Sequence, residues 1–72
     1  MKTYNYMDKV IVQVAKNILY HAQVKSDDGR FVQVILKEKI GGNRDFMYDA
    51  EYGITHNMVV EKLYDAATDK VL

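Results

Sequence analysis

The chain has 72 residues, of which 49% are hydrophobic and 28% are charged, a composition typical of one small globular domain over residues 1–72. It contains no cysteine, which excludes a disulfide framework, a thiol nucleophile and a cysteine-ligated zinc site. Ten Lys and Arg residues balance ten acids, and no apolar run approaches the roughly 20 residues of a membrane span. We therefore expect a cytoplasmic protein, in the host cytoplasm if the chain is viral.

Residues 7–22 have the apolar spacing of an amphipathic helix. The predicted buried stripe consists of Met7, Val10, Ile11, Val14, Ile18 and Ala22. The β-branched run at residues 10–12 lowers helix propensity and suits a strand instead. In a strand, the alternate valines would lie on one face, and Ile11 would be the only apolar residue on the other. We therefore favour the helix. Asn5 or Thr3 would cap its N-terminus.

The next two segments predict a β-hairpin. YHAQVKS and RFVQVILKEKI flank the Asp-Asp-Gly of residues 27–29, and Asp-Gly between extended segments is a strong turn signal. In the second strand, Val32, Val34 and Leu36 face one way. The residues that face the other way are Phe31, Gln33, Ile35 and Lys37. Apolar side chains on both faces predict a central strand.

A second turn, Gly-Gly-Asn at residues 41–43, leads into a third strand with the sequence RDFMYDAEYG. One side of this strand would present Phe46, Tyr48, Ala50 and Tyr52. The other side would present Asp45, Asp49 and Glu51, with Met47 among them. In the simplest meander this strand lies at the edge of the sheet.

The last segment predicts a second helix. Gly53 ends the third strand, and Thr55 is a suitable N-cap. The apolar face of the helix would consist of Val59, Val60, Leu63, Ala66 and Ala67. Glu61, Asp65 and Asp69, at four-residue spacing, would form an acidic stripe on the opposite face.

These elements together predict an α+β fold of order α-β-β-β-α. Two helices would pack on one face of a three-stranded antiparallel meander. The predicted core consists of Val10, Ile11, Val14, Ile18, Val32, Val34, Leu36, Phe46, Tyr48, Val59, Leu63 and Ala67. Because the helices cover only one face, Phe31 and Ile35 would remain partly exposed on the other, which favours a homodimer through the sheet.

Residues with catalytic or metal-binding chemistry are few. His21 and His56 have no second histidine at a ligand spacing, so we interpret both as surface residues. Ser26 lacks the glycine-flanked elbow of a serine nucleophile, and the glycines at 41–42 lack the Lys and Ser/Thr of a phosphate loop. The acids at 27–28 suit a turn. We expect no enzymatic activity, cofactor or metal.

The predicted order of elements resembles that of the double-stranded RNA-binding domain over almost the whole chain. FVQVILKEKIGG occupies the place of that family's central strand and turn, and VVEKLYDAATDKVL the place of its last helix. The family holds phosphates with a lysine cluster at the start of that helix, where this chain reads THNMVVEK, and SDDGR replaces its Gly-Pro-His-type loop. The resemblance implies a nucleic-acid module as an alternative function. Its basic face would consist of Lys9, Gln13, Lys16, Lys25 and Arg30.

Charge is distributed unevenly along the sequence. Residues 1–44 have eight basic and four acidic side chains, a balance of +4, whereas residues 45–72 have two basic and six acidic ones, a balance of −4. Acids interleaved with aromatic residues suit a basic protein surface better than nucleic acid. The predicted partner-binding residues are Asp45, Asp49, Glu51, Glu61, Asp65 and Asp69.

The leading functional hypothesis is a non-enzymatic interaction protein. It would act as an inhibitor or regulator by occupying a basic surface of a partner protein. Compact, cysteine-free chains with an acidic face are common among phage-type inhibitors, of which the anti-CRISPR proteins are one group.

Overall fold

The computed structural model describes residues 4–41 and 47–72, with the backbone alone for residues 47–49. The described residues form six strands and one turn of 3₁₀ helix, His56–Met58. The strands are β1 Lys9–Ala15, β2 Ile18–Asp27, β3 Val32–Ile40, β4 Met47–Ile54, β5 Val59–Asp65 and β6 Lys70–Val71. The predicted α+β fold with two helices is therefore wrong, because both predicted helices are strands. Nowhere in these ranges is there a helix with the length and apolar character needed to cross a bilayer.

All six strands belong to one antiparallel sheet, in the order β4-β3-β2-β1-β5-β6. The first four strands follow one another as a meander, and β5 then returns to pair with the free side of β1. The predicted hairpin around residues 27–29 is confirmed as the β2–β3 connection. The predicted edge position of the third strand is also confirmed, since β4 ends the sheet.

The segment predicted as the first helix is the β1–β2 hairpin. Val10 and Val12 point to the buried face, and Ile11 between them points away from it. The chain reverses at Asn17, which adopts φ +66°, a left-handed conformation that asparagine tolerates better than most residues. The β-branched residues that disfavoured a helix instead fill one side of a strand, where they pack well.

The segment predicted as the second helix is the β5–β6 hairpin. Thr55 does precede a helical element, but this is a single 3₁₀ turn, and the Thr55 side chain makes no capping hydrogen bond to it. Val59 then begins β5, which pairs with β1, and the chain reverses again near Asp69, at φ +57°. The resemblance to the double-stranded RNA-binding domain relied on the order of helices and strands, so it does not survive this correction.

The hydrophobic core lies on one face of the sheet. The buried hydrophobic residues are Val10, Val12, Ala22, Val24, Val32, Val34, Leu36 and Ile54. Among the described residues, Tyr4 of the N-terminal segment and Met58 of the 3₁₀ turn pack against this cluster, as do the partly buried strand residues Tyr20 and Val59 and the residue Val14. The irregular pairings between the strands allow the sheet to bend around it. We call the face that holds the buried hydrophobic residues the inner face and the opposite one the outer face. Burying each of the Val, Leu and Ile side chains contributes about 1.5–3 kcal/mol.

The predicted core is correct in part. Val10, Val32, Val34 and Leu36 are buried as predicted. Partly buried residues from the prediction are Ile11, Val14, Ile18, Val59 and Leu63, whereas Ala67 is exposed. Phe46 and the side chain of Tyr48 lie outside the described residues.

Candidate interaction surface

The predicted acidic residues lie on strands that are not neighbours in the sheet. Glu51 lies on β4, whereas Glu61 and Asp65 lie on β5 and Asp69 lies in the turn before β6. Three strands, β3, β2 and β1, separate β4 from β5 in the sheet. The acids of β5 therefore do not extend the negative surface of β4. Asp45 and the side chain of Asp49 lie outside the described residues.

The free edge of β4 presents both charge and aromatic surface. The Glu51 carboxylate lies 2.6 Å from the Lys25 ammonium on the outer face, with both side chains about half exposed. An exposed pair of this kind contributes at most about 1 kcal/mol. Tyr52 is 46% exposed although it is opposite Val34 on the inner face, because no strand lies beyond β4 among the described residues.

The acids of β5 and the following turn have partners within their own hairpin. Asp65 accepts a hydrogen bond from the Ala67 N–H and lies 3.5 Å from the Lys62 ammonium. Asp69 accepts a hydrogen bond from the Tyr64 hydroxyl, and this bond, with smaller effects of desolvation and of the Asp69 charge, raises the pKa of Tyr64. Glu61 is exposed opposite Ile11 on the outer face. These acids do not form one stripe, because the helix that would have aligned them is absent.

A buried ion pair joins the N-terminal segment to the β5–β6 hairpin. The Asp8 side chain is fully buried and accepts hydrogen bonds from the N–H groups of Asn5 at 2.8 Å and Ala66 at 2.7 Å. The Lys62 ammonium lies 3.2 Å from the same carboxylate. Burial alone would lower the pKa of Lys62, but Asp8 and the nearby Asp65 outweigh it and raise that pKa. No sequence motif marks this contact, because Lys62 and Ala66 lie more than fifty positions from Asp8 in the chain.

A second buried carboxylate lies where the β2–β3 turn meets the 3₁₀ turn. The Asp27 side chain is shielded from solvent and accepts hydrogen bonds from the N–H groups of Tyr4 at 2.7 Å and Gly29 at 2.8 Å. His56 Nε2 lies 2.9 Å from the same carboxylate, and its ring stacks on Tyr4. Burial raises the pKa of Asp27, but the two N–H donors and His56 outweigh it, so that the pKa is lowered.

The Asp27–His56 pair belongs to a cluster of polar contacts. Two backbone N–H groups also bind the carboxylate, and the imidazole stacks on Tyr4. The pair ties three segments of the chain together. Sequence reasoning placed His56 on the surface and missed this contact. The neighbouring Asp28 acts as a turn former, as predicted, since it accepts hydrogen bonds from the N–H groups of Arg30 and Phe31.

The predicted basic residues divide between the outer face and the turns. Lys9 and Gln13 lie on the outer face of β1, and the Lys25 side chain reaches Glu51 on the same face. Lys16 lies in the β1–β2 turn and Arg30 in the β2–β3 turn. Phe31, just before β3, is 44% exposed and Ile35 is half-buried, as predicted. The homodimer that these exposures suggest stays a prediction.

The outer face also contains a groove of about 340 Å³. Its lining residues are Lys9, Val10, His21, Ala22, Gln23, Lys37 and Leu63. Across the described ranges, no three His, Cys, Asp or Glu side chains come together as metal ligands would.

Comparison with known proteins adds no assignment to this geometry. No family model matches the chain, and no curated protein or solved structure matches it either. Inference about function therefore rests on the β4 edge, the outer face and the two buried carboxylates.

Proposed function

We propose that the protein is a small non-enzymatic interaction protein that binds a partner protein through the free edge of β4. The observation that supports this most is the edge strand itself, Met47–Ile54, which ends the sheet and exposes Glu51 and Tyr52. An edge strand offers unpaired backbone N–H and C=O groups to an incoming strand, and charged residues along it restrict which strands can pair.

The chemistry of the edge favours a partner with a basic surface. Glu51 already attracts the Lys25 ammonium at 2.6 Å, so the same position suits a Lys or Arg of the partner. Displacing Lys25 costs little, because the pair is exposed. Asp45 and Asp49 of the same sequence segment would add to the negative charge. Occupying a basic surface in this way suits an inhibitor or regulator, as in the phage-type class.

The test is charge reversal on the edge. Asp49→Lys with Glu51→Lys should leave the unfolding midpoint nearly unchanged, weaken the complex with the natural partner and flatten its salt dependence, because rim charges act mainly on association rate. The partner is captured with the wild-type protein, identified by mass spectrometry and then titrated against each variant.

The matched variant reverses two basic residues, Lys9→Glu with Lys16→Glu. Under the proposal, this variant should bind the partner about as well as wild type. If it abolishes binding while the acidic reversal has no effect, the β4 proposal is wrong. The nucleic-acid alternative would then take its place, since Lys9 and Lys25 lie together on the outer face of adjacent strands.

A further inference from the structure

The inner side of β4 leaves one end of the hydrophobic core open. Side chains alternate along a strand, so Ala50, Tyr52 and Ile54 all point to the inner face, opposite core residues of β3. Ile54 is buried, but Ala50 is exposed and Tyr52 is 46% exposed. Among the described residues, no strand lies beyond β4 to cover these two side chains.

The exposure of Leu36 marks where the core is least complete. Leu36 lies in one row of the inner face, between Ala22 of β2 and Ala50 of β4. Its exposed fraction of 8% is the largest among the buried hydrophobic residues that the structure describes. Because Ala50 ends this row with a single methyl group, a larger apolar side chain placed beyond it would cover the end of the row.

The outer side of the same strand is polar. Glu51 points to this side and is exposed, with the Lys25 ammonium 2.6 Å from its carboxylate. Gly53 adds no side chain here, and the Gln33 Nε2 atom lies 3.1 Å from the position that a Cβ would take. The free edge of β4 therefore has an apolar inner side and an acidic outer side.

We infer that the partner adds to β4 an extended segment in which basic residues alternate with large apolar residues. This inference rests on the proposed function and specifies the sequence class of the partner. The basic side chains lie beside Glu51 on the outer side, and the apolar ones pack against Ala50 and Tyr52 on the inner side.

The geometry of a sheet fixes this alternation. An added strand lies about 4.8 Å from β4, and its side chains alternate with the same period whichever way it runs. A uniformly basic segment would leave the open end of the core uncovered. A second copy of β4 would bring acidic side chains against acidic ones, which disfavours it as the occupant.

The experiment is an amide NMR titration of the full chain with two acetylated and amidated peptides of seven residues. Lys alternates with Val in one peptide and with Ser in the other, so their charge and spacing are identical. Both should shift the amide resonances of β3 and β4. The Lys-Val peptide should bind about ten-fold more tightly, because its apolar side chains pair with Tyr52 and Ala50.

Variants on the two sides of β4 separate packing from charge. Tyr52→Ser and Ala50→Asn should each reduce the ratio of the two affinities to about three-fold, whereas the strand propensity of Val alone would leave it unchanged. Glu51→Gln, the matched change on the outer side, should weaken both complexes equally and preserve the ratio. A dispersed amide spectrum of each variant verifies its fold before titration.

Two results would overturn the inference: equal affinity for the two peptides, and a ratio that both inner-side variants leave unchanged. In either case, weaker binding by Glu51→Gln would still support the acidic edge, so the proposed function would stand. If neither peptide shifts the β4 amide resonances, the proposed function is wrong and the inference fails with it.

Discussion

Asp8 and Asp27 organise the polar interior at the level of single residues. Each carboxylate is shielded from solvent and binds one backbone N–H group from a segment that is remote in sequence, Ala66 for Asp8 and Tyr4 for Asp27. Asp8 connects the N-terminal segment to the β5–β6 hairpin, and Asp27 connects it to the β2–β3 turn. These contacts attach the N-terminal segment and the turns to the sheet.

We expect Asp8→Asn to reduce the free energy of unfolding by about 3 kcal/mol, since it removes the nearer and fully buried carboxylate from the largely buried Lys62 ammonium and leaves only Asp65 beside it. This is a large fraction of the roughly 4–11 kcal/mol typical of a 72-residue domain. Urea unfolding measures the loss. Lys62→Met in the Asp8→Asn background should add little further loss. Additive losses from the two changes would contradict the buried pair.

The lowered pKa of Asp27 predicts a specific pH dependence. The folded state favours the ionised carboxylate, so its contribution is complete above the ordinary pKa of 3.8 and is lost as the pH falls through the lower folded value. Asp27→Asn should cost about 2 kcal/mol at pH 7, and the difference from wild type should shrink below about pH 3.8. Denaturant titrations across this pH range test it. A difference that stays constant down to pH 2 would argue against the contact.

Only part of this residue-level organisation could be predicted from the sequence. The Asp-Asp-Gly turn is local, and the side-chain contacts that Asp28 makes to residues 30 and 31 follow from its position in the turn. The roles of Asp8 and His56 could not be predicted in the same way. Their partners lie tens of residues away, at Ala66 and Asp27, and become neighbours only after β5 has returned to β1.

At the scale of elements, β1 is the clearest case in which helical and strand periods compete. Val10 and Val14 fit both patterns, so they do not discriminate between them. Val12 distinguishes the two patterns, because it lies outside the helical stripe but is fully buried in the strand. The alternation of valines, interpreted above as unfavourable for a strand, is the pattern of a strand with one buried face. Asn17 then supplies the turn.

Two alanine substitutions separate the alternatives. Val12→Ala should lose about 2 kcal/mol of stability, since it leaves a cavity in the core, whereas Ile11→Ala should lose less because Ile11 points to the outer face and is only half-buried. Thermal or urea unfolding gives both values. A helix would reverse the order, as Ile11 lies on its apolar stripe, so a larger loss from Ile11→Ala would contradict the strand.

At the scale of the whole molecule, the strand order determines what each surface can do. Because β5 pairs with β1, three strands separate the acids of β4 from those of β5 in the sheet. The meander of the middle strands follows from local turns and could be predicted. The return of β5 could not, since its pairings join residues about fifty positions apart and no local pattern specifies them.

The pairing of β1 with β5 is the central claim, and cross-strand NOEs in the NMR spectrum of the free protein test it most directly. We predict NOEs between the backbone protons of Ile11 and Glu61 and between those of Val10 and Lys62, with the Ala66 amide protected from exchange by Asp8. Continuous sequential amide–amide NOEs through residues 7–22 and 59–69, with no contacts between these two segments, would contradict the sheet and everything inferred from it.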